Sequence, residues 1–298
     1  MKLRIALALT MTLLVNGLVF AQDSRFTVFD GGGKPASMEK IVDSLSGVDV
    51  IFLGEFHDDA VAHAIQFELF KAAYQRYGAT RRVALSLEMF ERDVQPILDE
   101  YLLGLITENH LMSSARPWNN YKSDYRPLVE FAKESKLPVV AANAPRRYVN
   151  MVSRSGRDSL KRLPKSARKN LAPLPFAQAS PAYAKKFNSL MGQNSPEVKA
   201  GLVNILDSQS LWDATMAYAI SLQLKNKNSL VVHLNGGFHS EGRLGTPEHL
   251  EKYRKGVRYV VVTIRYEDDF RNFDPSKHAN LGDYVILTDK SVPRSFTR

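Results

Sequence analysis

Four side chains have the types and spacing to do chemistry: Glu55, His57, Glu88 and His239. Glu55 and His57 lie in Gly54-Glu55-Phe56-His57, and His239 closes Gly236-Gly237-Phe238-His239, so one Gly-x-x-His layout occurs twice. Glycine lets the backbone turn sharply, and the histidine three residues on can then point back towards the start of the turn. Two imidazoles with Glu55 and Glu88 could hold a divalent metal, with His57, Glu88 and His239 as ligands, because Zn, Fe and Mn sites mix histidine with carboxylate. Without metal, the same groups could form a His-Glu acid/base pair in which the carboxylate fixes the imidazole tautomer and raises its pKa. The plainer alternative is that both histidines cap their loops by hydrogen bonding to backbone. Cysteine is absent. Disulfides, thiolate ligands, a cysteine nucleophile, covalent haem attachment and a diacylglyceryl anchor are therefore excluded.

Spacing sorts the remaining candidates. His57 and His63 are six residues apart, which does not put them on one helical face, and no His-Glu-x-x-His motif occurs; His63 reads as a helix-surface or packing residue. His233, inside an apolar run, reads as a hydrogen-bonded core histidine, and His110, His249 and His278 read as surface residues. Gln209, Asp213 and Met216 fall at i, i+4 and i+7, so Asp213 interrupts a stripe that would otherwise pack inward. That acid needs either a buried arginine or a place in the crevice. Tyr121, Tyr125 and Tyr148, with Trp118 and Met112, could flank a flat aromatic ligand, although aromatics so placed more often form core.

These residues must be positioned by the elements around them. Short β-branched apolar runs alternate with helical patterns, the signature of parallel strands buried on both faces. Strands are expected at 48–53, 82–87, 137–142, 230–234, 258–265 and 284–288. Helices are expected at 38–45, 58–77, 93–103, 125–135, 196–223 and 247–255, the last with Thr246 as N-cap before Pro247. This predicts an α/β fold, a layered and mostly parallel sheet flanked by helices. The long stretch between the third and fourth expected strands predicts a smaller inserted helical subdomain at about 146–224, with Arg168–Asn188 as loop. Ligands of open parallel sheets bind beyond the carboxyl ends of the strands, where Glu55, His57, Glu88 and His239 all fall.

Met1–Ala21 has the basic start, apolar run and small terminal residue of a secretory signal peptide. Its removal takes away Lys2, Arg4 and no acid, leaving 277 residues with formal charge +7 in place of +9. Residues 22–298 then form one exported α/β domain, expected to be periplasmic. The positive charge is local: from Arg146 to Asn170 nine Lys/Arg stand against Asp158 alone. Such a run is ordinarily a solvated face, and otherwise a surface that attracts carboxylates, phosphates or an acidic membrane. No nucleic-acid motif accompanies it.

Six ordered blocks carry a resemblance. They are Leu53-Gly54-Glu55-Phe56-His57-Asp58-Asp59 with His63 and Gln66; Leu87-Glu88-Met89-Phe90 with Gln95; Tyr125-Arg126-Pro127-Leu128; Ala142-Asn143-Ala144-Pro145-Arg146; Gln209 to Ala217 through Asp213; and Asn235-Gly236-Gly237-Phe238-His239. In these the chain resembles the ChaN family of haem-binding uptake proteins, within the Tiki/TraB/erythromycin-esterase-like superfamily. The resemblance implies haem as cofactor and partner, a role in haem or iron uptake at the cell envelope, and a homodimer around haem. The haem reading takes Tyr125, Arg146 and Asp213 as cofactor-binding residues, with the basic stretch meeting the propionates. The wider superfamily implies an alternative, a metal-dependent or His/Glu hydrolase using Glu55, His57, Glu88 and His239. Family members are often lipoproteins; lacking cysteine, this chain departs from that pattern, so membrane association would not be through a lipid anchor.

Overall fold

The computed structural model describes residues 23–191 and 196–296, and of 196–202 only the backbone; the expected signal peptide lies outside the described residues. In chain order the elements are β1 (Phe26–Asp30), α1 (Met38–Ser44), β2 (Val50–Glu55), α2 (Ala60–Tyr77), β3 (Arg82–Glu91), α3 (Gln95–Leu102), α4 (Glu108–Ser114), α5 (Arg126–Glu134) and β4 (Val139–Asn143). There follow α6 (Arg146–Ser155), α7 (Lys165–Arg168), α8 (Pro181–Met191), α9 (Pro196–Gln223), β5 (Ser229–Gly236), α10 (Thr246–Tyr253), β6 (Tyr259–Glu267), α11 (Pro275–His278) and β7 (Tyr284–Asp289). One sheet takes the order β1-β7-β6-β2-β5-β3-β4. Every neighbouring pair is parallel except β1 with β7.

Side chains alternate across the pleat and so divide the core between two helical layers. Ile51 and Leu53 of β2 pack with Ile41, Ile65, Leu69 and Leu128 on the face covered by α1, α2 and α5. Val50 and Phe52 face the other way, against Ala217 and Ile220 of α9 and Leu250 of α10. Both faces being covered, β2 and β5 are buried along their whole lengths. At 28 residues, α9 runs roughly 42 Å, about twice the length of these strands, and so overhangs the carboxyl edge. There Ser208 Oγ donates to Val149 O of α6 at 3.2 Å.

Three expectations change. No strand is expected before residue 48, yet β1 forms at the sheet edge: five residues with only Val28 and Phe29 buried, too short a pattern to register in the sequence. Its outer side is partly capped by Ala36 N–H donating to Val28 O and Asp30 N–H to Lys34 O, both 2.9 Å. The stretch 168–188 is not all loop: α8 occupies Pro181–Met191, burying Tyr183 and Phe187, with Ser180 Oγ accepting the Tyr183 N–H at 3.1 Å. Thr246 is not the cap of α10 but its first helical residue. The cap is Gly245, whose N–H meets Glu248 Oε2 at 3.0 Å, while the Thr246 hydroxyl is drawn elsewhere, to Asp213.

The other edge strand, β4, is protected by one side chain. Gln95 Nε2 donates to Val139 O at 2.8 Å and Gln95 Oε1 accepts the Ala141 N–H at 2.7 Å, which is the pairing an eighth strand would make. Gln95→Ala should orphan both groups and lower stability by about 1–3 kcal/mol, measurable as a shifted urea midpoint with an unchanged slope. Wild-type stability in that variant would show that water replaces the amide without loss.

Candidate functional site

The two Gly-x-x-His turns are neighbours because β2 and β5 are. Gly54 pairs with Asn235 and Glu55 with Gly236. Each turn's glycine makes room for the other turn. A Cβ on Gly54 would lie 2.9 Å from Ser240 Oγ and 3.1 Å from Gly237 Cα, and one on Gly236 would lie 2.8 Å from both Cε1 and Nε2 of His57. The backbone at Gly236 is ordinary (φ −57°, ψ 134°), so contact alone requires glycine there. Gly236→Ala should therefore fold but displace the His57 ring, seen as an altered imidazole titration by NMR; an unchanged titration would mean that the ring is not held by this contact.

Glu55 is buried, and its carboxylate organises the first half of the site. Oε1 accepts from His57 Nδ1 at 2.9 Å and from Tyr125 OH at 2.6 Å. Oε2 accepts from Gln66 Nε2 at 2.7 Å and lies 3.3 Å from His63 Nδ1. His63 Nε2 in turn faces Asp124 Oδ2 at 3.3 Å and His57 O at 3.2 Å. Asp124 also accepts from Asn120 Nδ2 (2.6 Å) and Ser295 Oγ (2.7 Å). Burial would raise the Glu55 carboxyl, but the charges and hydrogen bonds of His63 and His57 outweigh it and hold it at about 2. Burial pulls the two imidazoles down; Glu55 and Asp124 nonetheless lift His63 to about 9, and Glu55 and Glu88 raise His57.

Asp213, fully buried, organises the second half. Its Oδ1 accepts from His239 Nδ1 at 2.9 Å and Thr246 Oγ1 at 2.8 Å, and its Oδ2 accepts the Tyr183 hydroxyl of α8. Burial would depress His239, but Asp213 and Glu88 raise it to about 8. Glu88, expected just past its strand, lies inside β3 where the register with β4 shifts between Leu87 and Glu91, and stands beside both rings' turns: Oε2 accepts the Gly236 N–H at 2.7 Å and Oε1 is 3.8 Å from His239 Nε2. Thus two imidazoles, each oriented through Nδ1 by its own carboxylate, flank a third carboxylate. The expected metal set is not assembled. Among the described residues no group of three or more His, Asp or Glu is arranged to hold a metal ion; each ring gives its Nδ1 to its own carboxylate, and Glu88 gives Oε2 to the β5 turn.

Sequence reasoning missed several members of this site. His63, read as surface or packing, is buried between Glu55 and Asp124, and Gln66 joins it. Tyr183 lies in the stretch expected as loop, and Thr246 at the position expected as a cap. The only legible signal for His63 was its place beside Gln66 in the first block. His249 and His278, read as surface, are buried; His233 is a core residue, its Nδ1 2.9 Å from Ser86 Oγ.

At the mouth, aromatic rings alternate with guanidinium groups. Exposed Phe56 lies against Tyr266, centroids 4.4 Å apart at 35°. The Arg294 guanidinium sits 3.7 Å from the Tyr266 ring and Arg265 5.7 Å from Phe56. On the other side, the Trp118 ring meets His57 edge-on at 4.7 Å under the exposed Arg146, 5.7 Å away. Of the residues expected to contact a cofactor, Arg146 thus lies on this rim. Tyr125 and Asp213 do not: both are fully buried, hydroxyl and carboxylate already engaged inside. Tyr121 is likewise core. Part of the basic stretch is neutralised, Arg147 by Asp93 (2.5 Å) and Arg157 by Asp207 (3.3 Å), while Arg154, Arg162, Lys165 and Lys169 are exposed.

A layered α/β sheet whose carboxyl edge carries two interlocked Gly-x-x-His turns and an internal glutamate defines the class of this protein. The chain belongs to the ChaN family of haem-binding uptake proteins in the Tiki superfamily, whose model matches residues 41–250. It is similar in fold to ChaN of Campylobacter jejuni, a structure described as binding haem cofacially, with a TM-score of 0.66 and 21% identity over 90% of this chain and 98% of that one. A Bacillus cereus protein solved by structural genomics is similar at a TM-score of 0.50 and 11% identity, over 88% and 94% of the two chains. No curated protein sequence matches the chain significantly.

Proposed function

We propose that this protein binds haem on the rim around Phe56 and Tyr266 and serves haem or iron uptake at the cell envelope. The observation that carries the reading, beside the family, is the Arg294–Tyr266–Phe56–Arg265 stack. Haem needs flat apolar contact, cations for its propionates and a side chain able to reach iron. The rim offers aromatic faces with Arg146, Arg265 and Arg294 beside them. Tyr266 is the better axial candidate, since its hydroxyl makes no hydrogen bond among the described residues, whereas His57 Nε2 is packed against Gly236. A second copy presenting the same rim would enclose the cofactor in a homodimer. Export to the periplasm rests on the segment Met1–Ala21; among the described residues no helix is long and apolar enough to cross a membrane.

Haemin titrated into the purified chain should shift the Soret band, and Tyr266→Phe should change the ligation spectrum while His57→Ala leaves it as in the parent. No shift in the parent would overturn the reading. What supports the second reading, hydrolysis by His/Glu acid-base chemistry, is the pair of carboxylate-oriented imidazoles. Turnover of an ester or peptide panel that disappears in both His239→Ala and Glu88→Gln would establish it; no turnover would remove it.

A further inference from the structure

The opposite end of the sheet carries a second basic surface that no stretch of sequence announces. Three segments enter parallel strands there: Asp49 before β2, 225–228 before β5 and 254–258 before β6. Together they bring Lys225, Lys227, Arg254, Lys255 and Arg258 to one edge, all exposed, from stretches up to thirty-three positions apart. Between them lies a cavity of about 640 Å³, lined by Lys227, Asn228, Tyr253, Arg254 and Lys255 with a single acid, Asp49. That acid is already engaged. Asp49 Oδ2 accepts the Arg258 N–H at 3.0 Å, and Oδ1 is 3.8 Å from the Arg258 guanidinium. Lys227, Arg254 and Lys255 make no ion pair among the described residues.

Three unpaired cations converging on an open polar cleft raise the local concentration of anions, and multivalent anions most of all. Arg82 braces the cleft: its N–H donates to Asn228 O at 3.0 Å and its Nη1 to Gln223 Oε1 at 2.9 Å, tying the 225–228 loop to β3. Tyr253 packs on Tyr218 of α9, ring centroids 5.5 Å apart, so the wall bearing Arg254 and Lys255 is anchored too.

We infer that this amino-end cleft, formed by Lys227, Arg254 and Lys255, is a binding site for a phosphate-bearing anion, separate from the carboxyl-edge crevice. A phospholipid headgroup and free phosphate share that chemistry. The strands between the two sites span roughly 20 Å, so a protein held by this cleft would present its aromatic rim away from the surface that holds it.

The test is sedimentation of the purified chain with vesicles of phosphatidylglycerol in phosphatidylcholine, against phosphatidylcholine alone, at low and physiological salt. In parallel, inorganic phosphate binding is followed by ³¹P line broadening. Lys227→Glu with Lys255→Glu should weaken binding at least about tenfold, and Lys227→Gln with Lys255→Gln less. Both pairs lie on exposed loops, and an unchanged thermal midpoint confirms their fold. Lys165→Glu with Lys169→Glu, on the carboxyl-side basic stretch, should leave binding intact. Loss of phosphatidylglycerol binding in the cleft variants assigns the lipid source; phosphate broadening lost in them, without vesicle binding, assigns the soluble one. Absence of both, or binding that survives the cleft variants and disappears with Lys165→Glu and Lys169→Glu, overturns the inference.

Discussion

Asp213→Ala should destabilise the protein by about 3–5 kcal/mol. Asp213 is wholly buried, and the substitution strands three partners at once: the His239 imidazole, the Thr246 hydroxyl at the start of α10 and the Tyr183 hydroxyl that fastens α8 over the β5 exit. Removing the negative charge also removes the principal reason that His239 titrates at about 8. Asp213→Asn keeps the acceptor oxygen and loses the charge, so it should cost less while still lowering the His239 pKa. Urea unfolding at neutral pH and NMR titration of His239 separate the two effects. A loss below about 1 kcal/mol in Asp213→Ala would show that water enters and satisfies the three partners, and that α8 does not depend on this acid.

The second large effect is a stability maximum near pH 6.5, falling on both sides. The alkaline limb comes from His63 and His239. Their folded pKa values, about 9 and about 8, stand above the ordinary 6.5, so their stabilisation is complete below 6.5 and is lost as pH rises through those values. The acid limb has two stages. Burial depresses His233 to about 3 and His249 to about 4, so the folded state resists protons that the unfolded chain accepts, and stability falls as pH drops below 6.5. Glu55, held at about 2 by His63 and His57, adds a further loss as pH falls from 4.5 towards 2. Displacements of this size are on the order of a few kcal/mol each. The Glu55 and His63 displacements describe one ion pair and do not add. Thermal midpoints measured across pH should show the maximum; His63→Gln should flatten the alkaline limb and His249→Gln the first stage of the acid one. A wild-type midpoint flat from pH 5 to 9 would contradict the buried charged network.

The sheet was legible because its central strands are buried on both faces and so read as short β-branched runs. The strand exits followed from them, and with them Glu55, His57 and His239, whereas β3 runs on past Glu88 to Glu91. What escaped has a common physical origin. His63, Asp124, Tyr183 and Thr246 act through contacts between segments far apart in sequence, and periodicity carries no information about such contacts. His63 looked like a helix residue because it is one; only the position of α2 against the Tyr121–Tyr125 turn makes it the partner of Asp124. The same limit applies to the metal reading. Spacing gives the residue types at the strand ends but not the direction in which each ring turns. The rim escaped because Phe56 and Tyr266 are 210 positions apart and become neighbours only through the pairing of β2 with β6. Tyr125 and Asp213 have the chemistry to meet a cofactor but are fully buried.

The reciprocal fit of the two glycine turns makes them a single heritable unit. Position 54 is constrained by the turn at 237–240, and position 236 by the ring at 57, so neither motif is free to vary by itself. A chimera that takes β2 and its turn from one relative and β5 and its turn from another would inherit two intact motifs and still lose the fit between them.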